Sequence, residues 1–315
     1  MTNPVSIGII APSSVVPQDE LKRGVSRLES QGFVVSTHPQ CRKKHLFFAG
    51  SDEERAQAFF DFASDPQFSV LWCARGGYGA IRLIPLLDRL TLARGVPSQK
   101  TLVGYSDVTV LHEYVRRHWG WKTLHAPMPG TKQFRKLSSR DFKSLTHLVQ
   151  GRLKSQVGRP ICLKFLHSGK ARETVGEMVG GNLTVWGSMM GTPLVPQVRG
   201  KILFFEDVSE ALYRLDRVAQ QIDGANGFEG VRALVLGSFY QCEDQSTQGL
   251  RAKVSLKKAL LEIFGSIGKQ LQIPVAYGLA VGHGKRNIPL SLGASYRLTS
   301  SGELTLVSWD WPGRS

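Results

Sequence analysis

A chain of 315 residues with 42% hydrophobic and 21% charged content suits one large or two medium domains and is too apolar for global disorder. Four scattered cysteines (Cys41, Cys73, Cys162 and Cys242) without a CxxC pair argue against a zinc module or a disulfide framework and fit a reducing compartment. A formal charge of +15 raises nucleic acid, a membrane surface or an acidic substrate as partners. No segment approaches the ~20 apolar residues that span a bilayer. The opening residues lack a basic segment, and their apolar run stops at Ala11-Pro12. They read as a buried strand rather than a signal peptide, so the cytoplasm is the expected location.

In chain order, Val5–Ala11 reads as a first strand ending in Pro-Ser-Ser, and Leu21, Val25 and Leu28 follow at helical spacing. Residues 32–35 read as a second strand. Ser51-Asp52-Glu53-Glu54 has capping-box spacing, and Ala56, Phe59, Phe60 and Ala63 mark one helical face behind it. Phe68–Ala74 is a third strand, followed by a glycine turn and a helix through Ile81, Leu83, Ile84 and Leu87. Thr101–Gly104 is a fourth, before a helix with Val108, Leu111, Val115 and Trp119 on its face. Continuous apolar strands alternating with helices predict a parallel sheet covered on both faces, with functional residues in the loops after the strand C-termini.

Residues 131–172 hold eleven basic residues against one acidic, Asp141, and several turn formers. The stretch reads either as a solvated connection with a short helix over Asp141–Val149 or as an anion-attracting surface. Regular aromatic interleaving is missing, which disfavours a single-strand platform. Beyond it, Met178–Met190 reads as a helix interrupted by Gly-Gly, and Lys201–Phe205 as a strand. A helical stripe of Leu212, Leu215, Ala219 and Ile222 follows. Val231–Leu236 and Ile273–Tyr277 read as strands around a Leu256–Phe264 helix. Ser295–Thr299 and Glu303–Val307 form a terminal hairpin.

Three loops carry candidate chemistry. Cys73-Ala74-Arg75-Gly76-Gly77-Tyr78-Gly79 leaves a strand and opens a helix, so its amides can face an anion or oxyanion. A dinucleotide fingerprint fails there, because Arg82 stands three residues after Gly79. Gly104-Tyr105-Ser106-Asp107-Val108 is a second strand-turn-helix. It has the logic of a nucleophile elbow, with Ser106 exposed and the Asp107 amide next to it, although Val108 replaces the second glycine of G-x-S-x-G. An N-cap explains the same residues equally simply. Gly282-His283-Gly284 holds an imidazole on irregular backbone. A serine nucleophile needs a base and an orienting acid. His283 is the candidate base. Glu206, closing the apolar strand Ile202–Phe205, is the candidate acid, with a helix N-terminal charge as its plainer role.

At these loops the sequence resembles the LD-carboxypeptidase family of serine peptidases, which includes the murein tetrapeptide carboxypeptidases and the microcin-immunity peptidases. The resemblance runs through Ile9–Ser14, Ala49–Ala56, Trp72–Ile84, Gly104–His112, His125–Met128, Gly180–Pro193, Leu203–Asp207, Tyr213–Arg217 and Gly282–Ala294. It departs at Ser209–Leu212 and at Ala126. It implies a flavodoxin-like N-terminal domain, here 1–135, and a smaller swivelling-type α/β domain, here 175–315; the basic connection between them (136–174) is not explained by the family pattern. The active site is expected between the two domains, in a homodimer without metal or cofactor. It also implies a triad of Ser106, Glu206 and His283, hydrolysing the bond between the L-centre of a diamino acid and a terminal D-alanine in murein tetrapeptides. The expected oxyanion donors are the Gly77 and Asp107 amides. Arg75, beside Gly76, is a candidate for the substrate carboxylate or simply a loop brace. The alternatives are a peptidyl-nucleotide hydrolase of the microcin type and a non-enzymatic anion binder working through residues 131–172. Neither a specific nucleic acid nor a membrane is the expected partner.

Overall fold

The computed structural model describes residues 4–151, 159–243 and 254–309. Arg152 and Lys154 of the basic stretch lie outside the described residues. The described residues form two compact units, one of 4–151 with 288–291, the other of 159–287 with 292–309. The strands are β1 (Ser6–Ile10), β2 (Val34–Thr37), β3 (Val70–Cys73), β4 (Thr101–Gly104), β5 (Lys122–His125), β6 (Ile161–Cys162), β7 (Lys164–His167), β8 (Glu173–Asn182), β9 (Ile202–Val208), β10 (Ala233–Tyr240), β11 (Val275–Tyr277), β12 (Leu290–Leu292), β13 (Ser295–Thr299) and β14 (Glu303–Ser308).

The first unit is built on a sheet of order β12-β5-β4-β3-β1-β2. The pairs from β2 through β5 are all parallel. This is the 2-1-3-4-5 order of a flavodoxin-like sheet, whose direction of winding reverses between β1 and β3. One register row runs Thr37, Ile9, Trp72, Val103, Leu124 across all five strands. The strand ends are therefore level, and the loops after β1, β3 and β4 leave from one edge. Ile7, Ile9, Leu71, Trp72, Leu102 and Val103 are fully buried, as residues covered on both faces must be. The helices α1 (Gln18–Glu29), α2 (Asp52–Ser64), α3 (Ile84–Arg94) and α4 (Thr109–His118) supply that cover. The capping box at Ser51 is present in both directions, with Ser51 Oγ accepting from the Glu54 amide and Glu54 accepting from the Ser51 amide. Strand β5 escapes the sequence reading because it is four residues with polar ends, although Thr123, Leu124 and His125 are all buried.

The second unit carries a sheet of order β6-β14-β13-β8-β9-β10-β11-β7. Strands β8 to β11 are parallel, and the predicted β13–β14 hairpin adds antiparallel to β8. The predicted Met178–Met190 helix is corrected. Met178 to Asn182 belong to β8, and only Leu183–Gly187 is helical. Gly180 is there because the neighbouring strand comes close. A Cβ at its φ of 131° would stand 1.9 Å from the Phe204 carbonyl oxygen.

The basic stretch is more than a solvated connection. Its helix Ser139–Val149, capped by Ser138, buries Phe142, Leu145, Leu148 and Val149 within the first unit. Arg27 of α1 donates to the carbonyls of Phe134 (2.7 Å), Arg135 (3.0 Å) and Leu137 (2.8 Å), and its guanidinium lies 4.0 Å from the Phe142 ring centroid. Arg135 pairs with Glu20 at 2.9 Å. Further on, β6 and β7 are strands of the second sheet. The observed division thus splits the expected 136–174 connection, because its apolar positions at helical spacing have a core to enter. Replacing Arg27 with Met should speed limited tryptic cleavage at Lys132, Arg135 and Lys136. Wild-type cleavage rates in that variant would contradict the clamp.

Candidate active site

Ser106 directly follows β4 through Tyr105 and opens the short turn Ser106–Val108 that leads into α4. Its φ is 65°, a left-handed value that is uncommon for a residue with a Cβ. Side chain and turn are packed from the neighbouring loop. A Cβ on Gly76 would stand 3.0 Å from the Ser106 Cβ and 3.2 Å from its Oγ, so a larger residue there would have to push the serine aside by a few tenths of an ångström. Beneath the elbow, the His112 Nε2 lies 3.0 Å from the Gly104 carbonyl oxygen. A carbonyl can only accept, so Nε2 carries the proton. Burial pulls the His112 pKa down to about 4, keeping the ring neutral.

The Asp107 amide lies in the first helical turn, where amides lack carbonyl partners. Gly77 is exposed at the tip of the β3 loop with a φ of 113°. Arg75 donates from Nη1 to the Val15 carbonyl at 2.8 Å, which braces the two loops. Its guanidinium has further donors beyond that one.

In the second unit, Glu206 lies within β9, wholly buried, and His283 lies on the loop after β11. His283 Nδ1 stands 2.7 Å from Glu206 Oε2, and the His283 amide donates to the same oxygen at 3.1 Å. A carboxylate oxygen accepts, so Nδ1 is a protonated nitrogen, and in the neutral ring Nε2 keeps its lone pair. The glycines beside His283 have a specific task. A Cβ on Gly282, whose φ is 109°, would fall 2.4 Å from Glu206 Oε2, and one on Gly284 would fall 2.5 Å from Ser238 Oγ. Gly282 lets the loop lie on its acid, and Gly284 lets it pass close to Ser238. Asn182 Nδ2 reaches Glu206 Oε1 at 3.4 Å and Asp207 Oδ1 at 3.0 Å. Asp207 also accepts from the Thr184 amide and hydroxyl. The plainer role of Glu206, a helix N-terminal charge, is not what the chain builds. Asp207 is still in β9, and the next helix begins at Leu212.

Burial works against a charged His283, but the Glu206 and Asp207 carboxylates outweigh it, and its pKa is raised above 6.5. Burial raises the Asp107 carboxyl, with Ser13, Ala80 and Arg55 pulling the other way. Asp207 is raised by burial and by Glu206, against its hydrogen bonds.

Glu206 and His283 are thus brought together within the second unit, while Ser106, Asp107, Gly76, Gly77 and Arg75 gather at one sheet edge of the first. Sequence reasoning missed Ser13, Arg55, His112 and Asn182. Ser13 was within reach, since it stands in the Pro-Ser-Ser turn that ends β1 at the same edge.

A two-domain α/β protein with a strained serine at a strand end and a carboxylate-held imidazole has the equipment of a serine hydrolase. The chain belongs to the LD-carboxypeptidase family, matching its N-terminal domain over residues 7–126 and its C-terminal domain over 175–298. A murein tetrapeptide carboxypeptidase of Pseudomonas aeruginosa is 30% identical over 287 residues, 89% of each chain. The crystal structure of a muramoyltetrapeptide carboxypeptidase from Oxalobacter formigenes superposes with a TM-score of 0.80 at 30% identity, over 98% of this chain and 100% of that one. The structure of MccF, a microcin C7 self-immunity protein, with glutamyl sulfamoyl guanosine is alike in fold, with a TM-score of 0.77 at 20% identity over 99% and 98% of the two chains.

Replacing Glu206 with Gln removes the opposing charge and leaves burial in control. The His283 pKa, followed by NMR, should fall from above 6.5 to below it. The linked stability has a definite sign. A raised folded pKa means that the pair's contribution is full below about pH 6.5 and is lost as pH rises through the folded value. An unshifted His283 titration in the Gln variant would contradict this account.

Proposed function

We propose that the chain is a serine carboxypeptidase that hydrolyses the bond between the L-centre of a diamino acid and the terminal D-alanine of murein tetrapeptides, in peptidoglycan recycling. The observation that carries the reading is the buried Glu206–His283 pair at 2.7 Å in a member of this family. With Nδ1–H directed to Glu206, Nε2 is the ring nitrogen that acts as base. The reaction requires that nitrogen to come within hydrogen-bond reach of Ser106 Oγ.

In this reading His283 takes the Ser106 proton as Oγ attacks the scissile carbonyl, and Glu206 steadies the imidazolium. The oxyanion is received by the Asp107 and Gly77 amides. The C–N bond then breaks, His283 protonates the departing D-alanine amine, and water resolves the acyl-enzyme. Arg75 is assigned to the substrate carboxylate through the donors not spent on Val15. The protein is further assigned to the cytoplasm as a homodimer. Four free cysteines, three of them buried, are in keeping with a reducing compartment. No described helix is long and apolar enough to cross a membrane.

Wild-type protein incubated with a tetrapeptide muropeptide should release one alanine, read by mass spectrometry. Ser106→Ala should be slower on the order of a thousandfold or more. Near-normal release by Ser106→Ala would remove the nucleophile assignment. Cleavage of a peptidyl-nucleotide in preference to the muropeptide would move the substrate class.

The pH dependence follows from the base. Acylation needs neutral His283, so kcat/KM should rise with pH through a value above 6.5. A rate already at its plateau at pH 5 would contradict that role.

A further inference from the structure

The loops after β1 and β3 are cross-tied by two buried charged side chains of opposite sign. Asp107 is almost wholly buried, and its Oδ2 accepts from Ser13 Oγ at 2.6 Å and from the Ala80 amide at 2.8 Å. Arg55, also buried, donates from Nη1 to the Gly79 carbonyl at 3.0 Å and to the Pro12 carbonyl. Arg55 is held in turn by Asp52, which also pairs with Arg82. The two groups thus grip adjacent residues on both loops, Pro12 and Ser13 on one, Gly79 and Ala80 on the other. Gly77 lies on the span so fixed. A Cβ there would stand 2.2 Å from Ser14 Oγ, so the β1 loop is packed directly against it.

We propose that the Asp107 side chain is a positioning group for the proposed acyl transfer: through Ser13 and Ala80 it sets the Gly77 amide opposite its own amide, so one residue supplies one oxyanion donor and places the other. The proposal rests on the serine peptidase reading above. Two donors converging on one carboxylate oxygen form a rigid hinge, because neither loop can shift without leaving a buried donor or the carboxylate unpaired. An oxyanion donor misplaced by a fraction of an ångström loses most of its effect on the transition state while leaving ground-state binding intact. Ser13 itself touches no reacting atom in this scheme. Its hydroxyl matters only through Asp107.

The test is the rate at which an alkyl fluorophosphonate labels Ser106. In that step the Ser106 Oγ–P bond forms, fluoride leaves with the P–F bond's electrons, and His283 takes the hydroxyl proton. The phosphoryl oxygen reads the same donors as the oxyanion. Ser13→Ala should label roughly tenfold or more slowly and lose kcat by a similar factor with KM held. Ser13→Thr, which keeps the hydroxyl, should restore both. The double variant Ser13→Ala/Asp107→Asn should be no slower than Asp107→Asn alone, because both changes break the same tie. Folded Ser13→Ala that labels at the wild-type rate, a loss confined to KM, or additive losses would each overturn the proposal. Wild-type protein that fails to label at Ser106 would overturn the serine peptidase reading itself, and the proposal with it.

Discussion

Ser106 sits at a φ of 65°, a conformation that costs a residue with a side chain about 1–3 kcal/mol. The first unit holds it there. The level register of β1, β3 and β4 sends three loops out from one edge, and those after β1 and β3 close on the third, the serine's turn. Gly76 approaches within contact distance of the side chain, His112 donates to the Gly104 carbonyl below, and Asp107 binds the β1 and β3 loops together. Remove the strain and the hydroxyl returns toward an ordinary helix start. The parallel sheet, which leaves helix-opening amides at its carboxyl edge, is what makes such a turn useful.

The second unit solves a different problem, the burial of a carboxylate. A wholly buried Glu206 is tolerated because His283 gives it both a ring N–H and a backbone N–H, and Asn182 reaches its other oxygen. That arrangement requires the His283 loop to lie on β9, which Gly282 alone permits at the point of closest approach. Electrostatics and sterics therefore select the same residues. The carboxylate fixes the imidazole's tautomer, and the glycine allows the carboxylate to be reached.

Much of this was legible in the sequence, and for identifiable reasons. Runs such as Val5–Ala11 and Thr101–Gly104 are largely apolar on both faces and announce a covered parallel sheet. Ser51 and Glu54 announce their capping box. Ser106 leaves a strand end, Glu206 closes the apolar run Ile202–Phe205 and His283 stands between two glycines, a pattern that makes each a candidate beside a plainer role; the resemblance to the LD-carboxypeptidase family is what singled them out together. What failed depends on partners far away in the chain. Gly180-Gly181 reads as a break in a helix, yet it marks a strand whose neighbour Phe204 lies against it. Lys122–His125 is too short and too polar to read as a strand until β4 pairs with it. The charge of 131–172 hid an apolar face that Arg27, more than a hundred residues earlier, helps to anchor. The tie from Asp107 to Ser13 spans 94 positions and leaves no local signature.

The proposed acyl transfer requires Ser106 to form a covalent bond to the acyl half of the substrate. Rapid acid quench of the wild-type protein mixed with a D-alanine-terminated murein tetrapeptide, followed by peptide mass mapping, tests that bond. The predicted result is an adduct of the substrate minus D-alanine on the peptide that contains Ser106, absent from Ser106→Ala. Alanine release without any adduct on that peptide, continuing in Ser106→Ala, would contradict it.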